Sequence, residues 1–368
     1  METGNLLIQA DNLYGLEYLL KTRGLSGRVT LIYADPPYGT NQTFTVTEGR
    51  QATISRARNG HTAYTDRFSR RDYLDFLGRR LELMRELLAD DGSIYIHIDL
   101  KMGHYVKCLM DEIFGGDRFI NDITRVKCNP KNFQRRGYGN VKDLILFYSK
   151  TDRYVWNHPR EAINVEADPR FKNVAPDGRR YTTTPLHAPG ETVNGRTGRS
   201  WRGMLPPPGR HWRYPPEELE RLDQLGLIEW SSTGNPRKKI YADDVRRRGV
   251  KVQDVWVFKD PQKPRYPTEK NLELLRRIVG ASSNAGDWVM DPFCGAATTP
   301  VAAAGLGRRW LGIDLSELAI RVCRERLSEF EFLDLTDRRS DTEEAAYEPV
   351  GAGDYKTGPA KRLSRPSL

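Results

Sequence analysis

Short runs of apolar residues, bounded by glycine, proline or polar residues, recur along much of the chain and have the length of buried β-strands. Such strands are predicted at residues 5–9, 28–34, 93–99, 118–126, 142–148, 287–291 and 309–314. Between the second and third of them, Leu77, Leu81 and Met84 lie at helical spacing and predict a helix over 70–90, beginning after the cap residue Ser69. The pattern therefore predicts seven strands in one sheet, with a helix that covers the core.

This pattern breaks over residues 151–257, where Gly and Pro are frequent and one helix, at 216–225, is predicted. The tail at 336–368 has few large apolar residues and is predicted to be disordered. The chain is thus predicted to consist of four parts, namely one half of a main domain at 1–150, an insert at 151–257, the second half at 258–335, and the tail.

One predicted strand ends in a distinctive polar segment, because Ala34 is followed by Asp35, Pro36, Pro37 and Tyr38. Each proline lacks an N–H and fixes φ, so the chain leaves the sheet while the proline carbonyls can still accept hydrogen bonds. A carboxylate, carbonyl acceptors and an aromatic face together suit the exocyclic amino group of a flipped base. The alternative is a turn at the end of a strand, without chemistry.

A second strand ends in Asp291 and leads into a turn of small residues, followed by a predicted helix at 298–306. The next strand ends in Asp314, about 20 residues beyond the turn, which is the spacing at which an acid meets ribose hydroxyls in a nucleotide-binding βαβ unit. Small residues would let a nucleoside cofactor approach the backbone. Turns of this kind also occur in α/β proteins that bind no cofactor.

Together, segments 35–38 and 291–299 resemble the amino-group DNA methyltransferases that use S-adenosylmethionine, in the circularly permuted order that places the catalytic motif first. The resemblance covers roughly residues 1–150 and 260–330. It implies a Rossmann-like class I methyltransferase sheet of about seven mostly parallel strands, with helices on both faces and an inserted target-recognition region. The family pattern D-P-F-x-G-S-G-T-T has Ala296 and Ala297 here in place of Ser and the second Gly, and the Ala297 methyl group narrows the approach to the backbone.

The resemblance also implies roles for individual residues. The catalytic residues would be Asp35, Pro36, Pro37 and Tyr38. Segment 11–12 is similar to the family's segment near the cofactor adenine, and segment 267–270, opening a predicted helix at 268–280, to the segment at its methionine end. The implied cofactor-binding residues are Asp11, Asn12, Thr268, Lys270, Asp291, Phe293, Cys294, Gly295, Ala297, Thr298, Asp314 and Leu315.

Positive charge is concentrated in one stretch of the chain. Residues 118–214 contain 19 Lys and Arg against 8 Asp and Glu, a net charge of +11, whereas the whole chain carries +9. With aromatic residues interleaved, this favours duplex DNA as a partner over an ordinary solvated surface. The residues predicted to contact DNA are Arg135, Arg136, Arg199, Trp201, Arg202, Arg210, Trp212 and Arg213. The polar loop at 39–67 is a second candidate.

The sequence argues against a metalloprotein, a disulfide-stabilised protein and a membrane protein. The four cysteines include no C-x-x-C pair, which argues against a zinc site or a disulfide framework, so no metal is predicted. The longest apolar runs are shorter than a membrane span, and the N-terminus lacks a basic region ahead of an apolar one. A cytoplasmic enzyme is therefore expected.

The function predicted from these features is transfer of the sulfonium methyl group of S-adenosylmethionine to adenine N6 in duplex DNA, at a specific short sequence, by base flipping and direct transfer. N4-cytosine methylation is the alternative reaction, since both need the same acceptor groups, although Asp at the first motif position leans towards adenine. A catalytically inactive DNA-binding protein with the same fold is an alternative of another class, favoured by Ala297. A homodimer and a restriction subunit are the further partners considered.

Overall fold

A computed structural model describes residues 4–37, 42–46, 61–66, 69–130 and 136–335. Tyr38, Arg135 and the predicted tail at 336–368 lie outside the described residues. Contacts divide the chain into two units: unit 1 comprises 1–157 and 254–368, and unit 2 comprises 158–253. The predicted domain bounds, and target recognition by the stretch at 151–257, stay predictions.

The elements are numbered in chain order, and those of unit 1 come first. Its helices are α1 (Asn12–Lys21), α2 (Arg70–Leu87), α3 (Gly103–Phe114), α6 (Leu272–Ser282), α7 (Thr298–Gly305) and α8 (Glu317–Arg326). Its strands are β1 (Asn5–Gln9), β2 (Val29–Ala34), β3 (Gln42–Val46), β4 (His61–Asp66), β5 (Leu88–Ile98), β6 (Phe119–Val126), β7 (Lys142–Ser149), β16 (Val255–Val257), β17 (Trp288–Asp291), β18 (Arg309–Asp314) and β19 (Phe332–Asp334).

Nine of these strands form one sheet, in the order β16-β6-β7-β5-β2-β17-β18-β1-β19. Neighbouring strands are parallel except at β7, which is antiparallel to both β5 and β6. All seven predicted strands belong to this sheet, while β16 and β19 are additional. The predicted α/β class, with a large and mostly parallel sheet flanked by helices, is confirmed.

Helix α2 shows how the apolar pattern builds the core. Ser69 caps it by accepting a hydrogen bond from the Asp72 backbone N–H at 3.2 Å. Leu77, Leu81 and Met84 lie on one face of the helix and are fully buried beneath it, in one cluster with residues of β2, β5, α1 and α3. Each such side chain contributes about 1.5–3 kcal/mol by leaving water. The helix ends at Leu87. Strand β5 begins at Leu88, five residues before the start of the strand predicted at 93–99.

Unit 2 contains helices α4 (Pro216–Gln224) and α5 (Ala242–Arg248). Its strands are β8 (Arg160–Glu161), β9 (Asn173–Val174), β10 (Arg180–Pro185), β11 (His187–Pro189), β12 (Arg210–Trp212), β13 (Ile228–Trp230), β14 (Pro236–Tyr241) and β15 (Val250–Lys251). Four of them form a sheet in the order β13-β14-β10-β9. The sequence showed little strand periodicity here because these strands are only two to six residues long.

Helix length and apolarity were also compared with what a bilayer requires. Across the described ranges, none of the helices combines the length and the apolar character of a membrane span.

Candidate active site

Acidic side chains lie at the carboxyl ends of four neighbouring parallel strands of unit 1. Asp35 follows β2, Asp291 ends β17, Asp314 ends β18, and Asp11 follows β1. Parallel strands bring their carboxyl ends to one edge of a sheet, which is where ligands bind in open α/β folds. The two motifs identified in the sequence are therefore brought together, although more than 250 residues separate Asp35 from Asp291.

The Asp35 carboxylate is paired with a lysine. Lys270 donates from Nζ to Asp35 Oδ2 and also to the backbone carbonyl of Thr268, at 3.2 Å for the latter. Both members of the pair are largely buried, with 15% of the Asp35 side chain and 9% of the Lys270 side chain exposed. Lys270, which the sequence assigned to the cofactor, thus contacts the predicted catalytic carboxylate.

The sequence predicted that a helix begins at Thr268, and this prediction is wrong. Thr268 has φ +65°, a left-handed conformation, and α6 begins four residues later after the cap residue Asn271, whose side chain accepts from Glu273 N. In this left-handed turn the Thr268 carbonyl oxygen lies 3.2 Å from the Lys270 ammonium nitrogen. Segment 267–270 is therefore a loop against Asp35.

Pro36 is buried and Pro37 is half-buried, directly after β2. Neither proline has an N–H, so both contribute only a carbonyl acceptor at this edge of the sheet. Because Tyr38 lies outside the described residues, its stacking role stays a prediction.

The turn after β17 is organised by the Asp291 carboxylate. Asp291 Oδ1 accepts from the Phe293 N–H at 3.0 Å, and Oδ2 accepts from the Thr299 hydroxyl at 2.5 Å. Burial raises the pKa of Asp291 to about 7, against the effect of these two bonds and with the added effect of the nearby Asp35 charge. A group with this pKa changes its charge near neutral pH.

The same turn is tied to the end of β18. Asp314 Oδ2 accepts from the Gly295 N–H at 2.8 Å, and Oδ1 accepts from the Ser316 N–H at 2.9 Å. Burial raises the pKa of Asp314, and these N–H groups oppose the rise. Gly295 itself has φ +47°, which favours glycine. The Asp314 carboxylate is thereby held in one orientation beside the turn.

Ala297 occupies the family's second glycine position and adopts a left-handed backbone conformation, with φ +56° and ψ 29°. It is fully buried and stands immediately before α7. The conformation explains why a glycine is usual here, since an alanine in it costs about 1 kcal/mol. The turn keeps its hydrogen bonds with alanine in place, including Ala297 N to Cys294 O at 2.7 Å.

The remaining predicted cofactor residues surround this turn. Asp11 caps α1 by accepting from Leu13 N at 2.8 Å, and Asn12 donates to the Pro292 carbonyl at 3.2 Å. Cys294 is buried with its Sγ 3.8 Å from Cys323 Sγ. Thr298 is also buried, whereas Leu315 is exposed. Carboxylates on two sides of a turn of small residues fit a nucleoside cofactor that carries ribose hydroxyls and an amino group.

A cluster of buried polar side chains lies on the strands next to Asp35. The sequence did not identify this cluster as part of the site. The Tyr33 hydroxyl is 2.7 Å from His97 Nδ1, and His97 Nε2 is 3.4 Å from Asp143 Oδ2. Asp143 also pairs with Lys127 at 2.6 Å and lies 3.7 Å from Arg125. The signal available in the sequence was a polar side chain within each of three mostly apolar strands, namely Tyr33, His97 and Asp143.

Burial and charge set the protonation of this cluster. Burial lowers the pKa of His97, against the effect of Asp143, so the imidazole is neutral near pH 7. Burial opposes ionisation of Asp143, yet His97 and Lys127 hold the pKa of its carboxyl well below the usual range. His97 is fully buried and links β2 to β7 through Tyr33 and Asp143.

The structure separates the residues predicted to contact DNA into three kinds. Trp201 and Trp212 are 3% and 1% exposed in the core of unit 2, so neither offers a ring face to DNA, and this part of the prediction is wrong. Arg202 is exposed but forms ion pairs with Glu220 and Asp223, both at 2.7 Å. The residues that are exposed, and pair with no carboxylate among the described residues, are Arg136, Arg199, Arg210 and Arg213.

Arg210, Arg213 and Arg237 form a cluster around His187. We call this cluster the basic surface. Arg210 lies 3.2 Å from His187 Nδ1, Arg213 donates to the Pro185 carbonyl, and Arg237 donates to the Thr183 hydroxyl. Burial and the charges of the three arginines lower the pKa of His187. In the described part of unit 2 none of the three has a carboxylate partner, so their positive charge is not neutralised. Arg237 was missed, although an R-K-K run marks it.

Comparison with known proteins places these features in a family. The family model of the N6 and N4 methyltransferases, which is described as DNA methylase, matches residues 29–325. The type II methyltransferase M.EcaI of Enterobacter cloacae is 43% identical over 88% of this chain and 69% of its own length. The type II methyltransferase M.HpaI of Haemophilus parainfluenzae is 36% identical, over 84% of this chain and 72% of its own length.

Two further matches differ in kind. The HindVI Mod subunit of Haemophilus influenzae, named as part of a type III restriction-modification enzyme, is 38% identical over 88% of this chain, which spans 50% of that relative. A solved structure of M1.HpyAVI with SAM aligns with a TM-score of 0.44 and 18% identity, over 88% of this chain and 99% of that one. On the family model and the two type II relatives, this chain belongs to the N6/N4 DNA methyltransferase family.

Proposed function

We propose that this protein methylates adenine N6 in duplex DNA, with S-adenosylmethionine as the methyl donor. The observation that carries the proposal is the position of Asp35 and Pro36 at the end of β2, beside the turn after β17, with the Asp35 carboxylate oriented by Lys270. When bound, S-adenosylmethionine supplies a methyl group activated by its sulfonium. Cofactor contacts are assigned to Asp11, Asp314 and the turn at 293–298.

The chain's own groups would act on the amino group of a flipped base. The Asp35 carboxylate and the Pro36 carbonyl accept the two amino hydrogens and hold them out of the plane of the ring, so that the nitrogen lone pair is no longer delocalised into the heterocycle. Asp35 takes the proton that the amino group loses as it gains a methyl group. The Pro36 carbonyl belongs to the peptide bond to Pro37, which has no N–H, so this peptide group can act only as an acceptor.

Three observations support DNA as the substrate. The family is one of DNA methylases. The basic surface carries three arginines without carboxylate partners in the described part of unit 2, and such groups bind phosphates with release of counterions. The HindVI relative is named as the Mod subunit of a type III restriction-modification enzyme, so a restriction endonuclease is the proposed functional partner.

N4-cytosine methylation is the alternative reaction, because it would use the same two acceptors. The experiment that tests the proposal incubates the protein with duplex DNA and S-adenosylmethionine, then digests the DNA and separates the nucleosides by mass spectrometry. N6-methyladenine is the expected product. N4-methylcytosine alone would replace the proposal with the alternative, and DNA binding without any methylation would support an inactive DNA-binding protein.

Asp35→Ala sharpens this test. It should lower the rate of methylation by roughly 10²- to 10⁴-fold, as expected when a positioned proton acceptor is removed, while affinity for S-adenosylmethionine stays within about twofold. Asp117→Ala is the matched control, because Asp117 is an exposed aspartate on the same unit. Methylation by Asp35→Ala within tenfold of the unchanged protein would remove Asp35 from the reaction.

A further inference from the structure

We propose that Arg80 is a positioning residue for the cofactor, acting through Asp11, Asn12 and the turn after β17. The inference rests on the proposed function, because it concerns the same cofactor site. Arg80 lies in the middle of α2, 69 residues from Asp11, and nothing in the sequence motifs pointed to it. It is one of the few charged side chains in the described residues that is almost completely buried, with 3% exposed.

All three nitrogens of the Arg80 guanidinium are used within the protein. Nη2 donates to Asp11 Oδ1 at 2.8 Å, Nε donates to Asn12 Oδ1, and Nη1 donates to the Phe76 carbonyl at 2.9 Å. The guanidinium also lies over the Phe76 ring, 3.7 Å from its centroid. A planar fork satisfied in this way fixes two neighbouring side chains at once, which a lysine ammonium cannot do with the same geometry.

These contacts continue into the cofactor turn by two routes. The Asn12 side chain, whose oxygen accepts from Arg80, donates from Nδ2 to the Pro292 carbonyl at 3.2 Å. The Phe76 ring, which lies under the guanidinium, packs against the Phe293 ring with 6.5 Å between centroids. Displacement of the guanidinium would therefore disturb both the side chains after β1 and the backbone after β17.

The arrangement leaves part of Asp11 available to a ligand. Its Oδ1 accepts from both Leu13 N and Arg80, while within the described ranges no partner donates to Oδ2. The Asp11 side chain, which follows β1, is 23% exposed. Arg80 thus holds one carboxylate oxygen and thereby sets the direction in which the other can accept a donor from the cofactor.

The test compares Arg80→Met with Arg79→Met. The first change removes the buried fork and keeps the length of the side chain, whereas the second makes the same change at the exposed neighbouring position of α2. Arg80→Met should raise the Kd and KM for S-adenosylmethionine by about tenfold or more, as expected when one or two charge-assisted bonds are removed, with kcat at saturating cofactor within about threefold. Arg79→Met should leave both constants within about twofold.

Two more variants keep the inference falsifiable. Arg80→Lys retains a cation near Asp11, so it should recover part of the missing affinity. Phe76→Leu removes the ring below the guanidinium without removing a charge, and it should also raise the cofactor KM. This variant provides the measurement if Arg80→Met does not fold. A cofactor Kd within twofold of the unchanged value in Arg80→Met, or in Phe76→Leu should Arg80→Met not fold, would overturn the inference and make Arg80 a purely structural residue.

Failure of this inference is distinguishable from failure of the proposed function. If the unchanged protein does not bind S-adenosylmethionine in calorimetry, the proposed function is wrong and with it the cofactor site. If the unchanged protein binds and methylates, and only the Arg80 and Phe76 variants behave like it, the proposed function stands and the positioning role of Arg80 does not.

Discussion

Lys270 and Asp35 lie 235 residues apart in the chain, and the Lys270 ammonium donates directly to the Asp35 carboxylate. The pair is mostly shielded from water, so its members interact more strongly than an exposed pair would. Lys270 is in turn held by the Thr268 carbonyl, whose position depends on a left-handed residue. The Asp35 carboxylate, which we propose to be the reactive one, therefore depends on the loop before α6 for its orientation.

The first prediction concerns this pair. Lys270→Met should lower kcat by about 10- to 100-fold, because the buried Asp35 carboxylate is left without the ammonium that orients it. The affinity for DNA should change by less than about threefold. Steady-state methylation assays and DNA titrations provide the two measurements.

A double-mutant cycle separates this effect from general damage to the fold. If Lys270 acts through Asp35, then Lys270→Met combined with Asp35→Ala should be no slower than Asp35→Ala alone. Additive losses would show that the two residues act independently, and Lys270 would return to the cofactor role predicted from the sequence. Lys263→Met, at an exposed lysine of the preceding loop, is the control.

The second prediction concerns Asp314, whose carboxylate is fixed by two N–H groups next to the turn. Asp314→Ala should weaken binding of S-adenosylmethionine by roughly 1–3 kcal/mol, since the N–H groups of the turn and the cofactor hydroxyls lose their acceptor. Isothermal calorimetry gives the dissociation constant. An unchanged value would exclude Asp314 from the cofactor site.

The third prediction concerns the basic surface. Replacing Arg210 and Arg213 with Ala should weaken DNA binding and reduce its salt dependence by a slope of about 1 for each phosphate that is no longer neutralised. If either arginine reads a guanine edge, discrimination at one base pair should also relax by roughly 1–3 kcal/mol. Binding titrations at several salt concentrations measure both effects.

Arg221 and Arg247 offer a matched control for that experiment, because both are exposed arginines of unit 2 that already form ion pairs with carboxylates. Their double change to Ala removes the same formal charge and should leave DNA affinity within about twofold. If affinity, salt slope and sequence preference all survive the replacement of Arg210 and Arg213, recognition lies elsewhere. Segment 39–67, predicted to be a loop but found to contain the paired strands β3 and β4, then becomes the first candidate.

The fourth prediction is a pH dependence of stability. Burial raises the pKa of Asp291 from its ordinary value of 3.8 to about 7, so between about pH 4 and pH 7 the folded state binds more protons than the unfolded state. The free energy of unfolding must then fall as the pH rises through this window. Asp291→Asn keeps the shape of the side chain and removes the titration.

The measurement is denaturant unfolding of both proteins at several pH values. The stability of the unchanged protein relative to Asp291→Asn should fall by about 3 kcal/mol between about pH 5 and about pH 8. Other groups, including His97 with its shift of opposite sign, cancel in this difference. A difference that does not vary with pH would mean that Asp291 is ionised throughout.

Much of the fold could be predicted from local pattern alone. The strands of four or more residues in the large sheet, and helix α2, carry enough apolar positions for their period to be visible in the sequence. Strands β16 and β19 have three residues each, too few to show a period, and they are held mainly by pairing with β6 and β1. Short elements of this kind depend on tertiary contacts, which a local pattern does not contain.

The site could be predicted only where its residues follow one another in a motif. Segments 35–38 and 291–299 were identified in this way, whereas the contacts of Lys270 with Asp35 and of Arg80 with Asp11 join distant parts of the chain. The error at Trp201 and Trp212 has a related cause. An aromatic residue next to an arginine reads alike in sequence whether it stacks on DNA or fills a small core, and unit 2 uses both rings for its core.

The left-handed Ala297 has a consequence for how relatives of this chain are found. Its position requires a left-handed backbone conformation, which alanine adopts at a modest energetic cost. The hydrogen bonds of the turn are formed with alanine in place. A search pattern that insists on glycine there would pass over this chain and any other with the same substitution. Spacing between Asp291 and Asp314, together with the small size of the intervening turn, is the more tolerant signature.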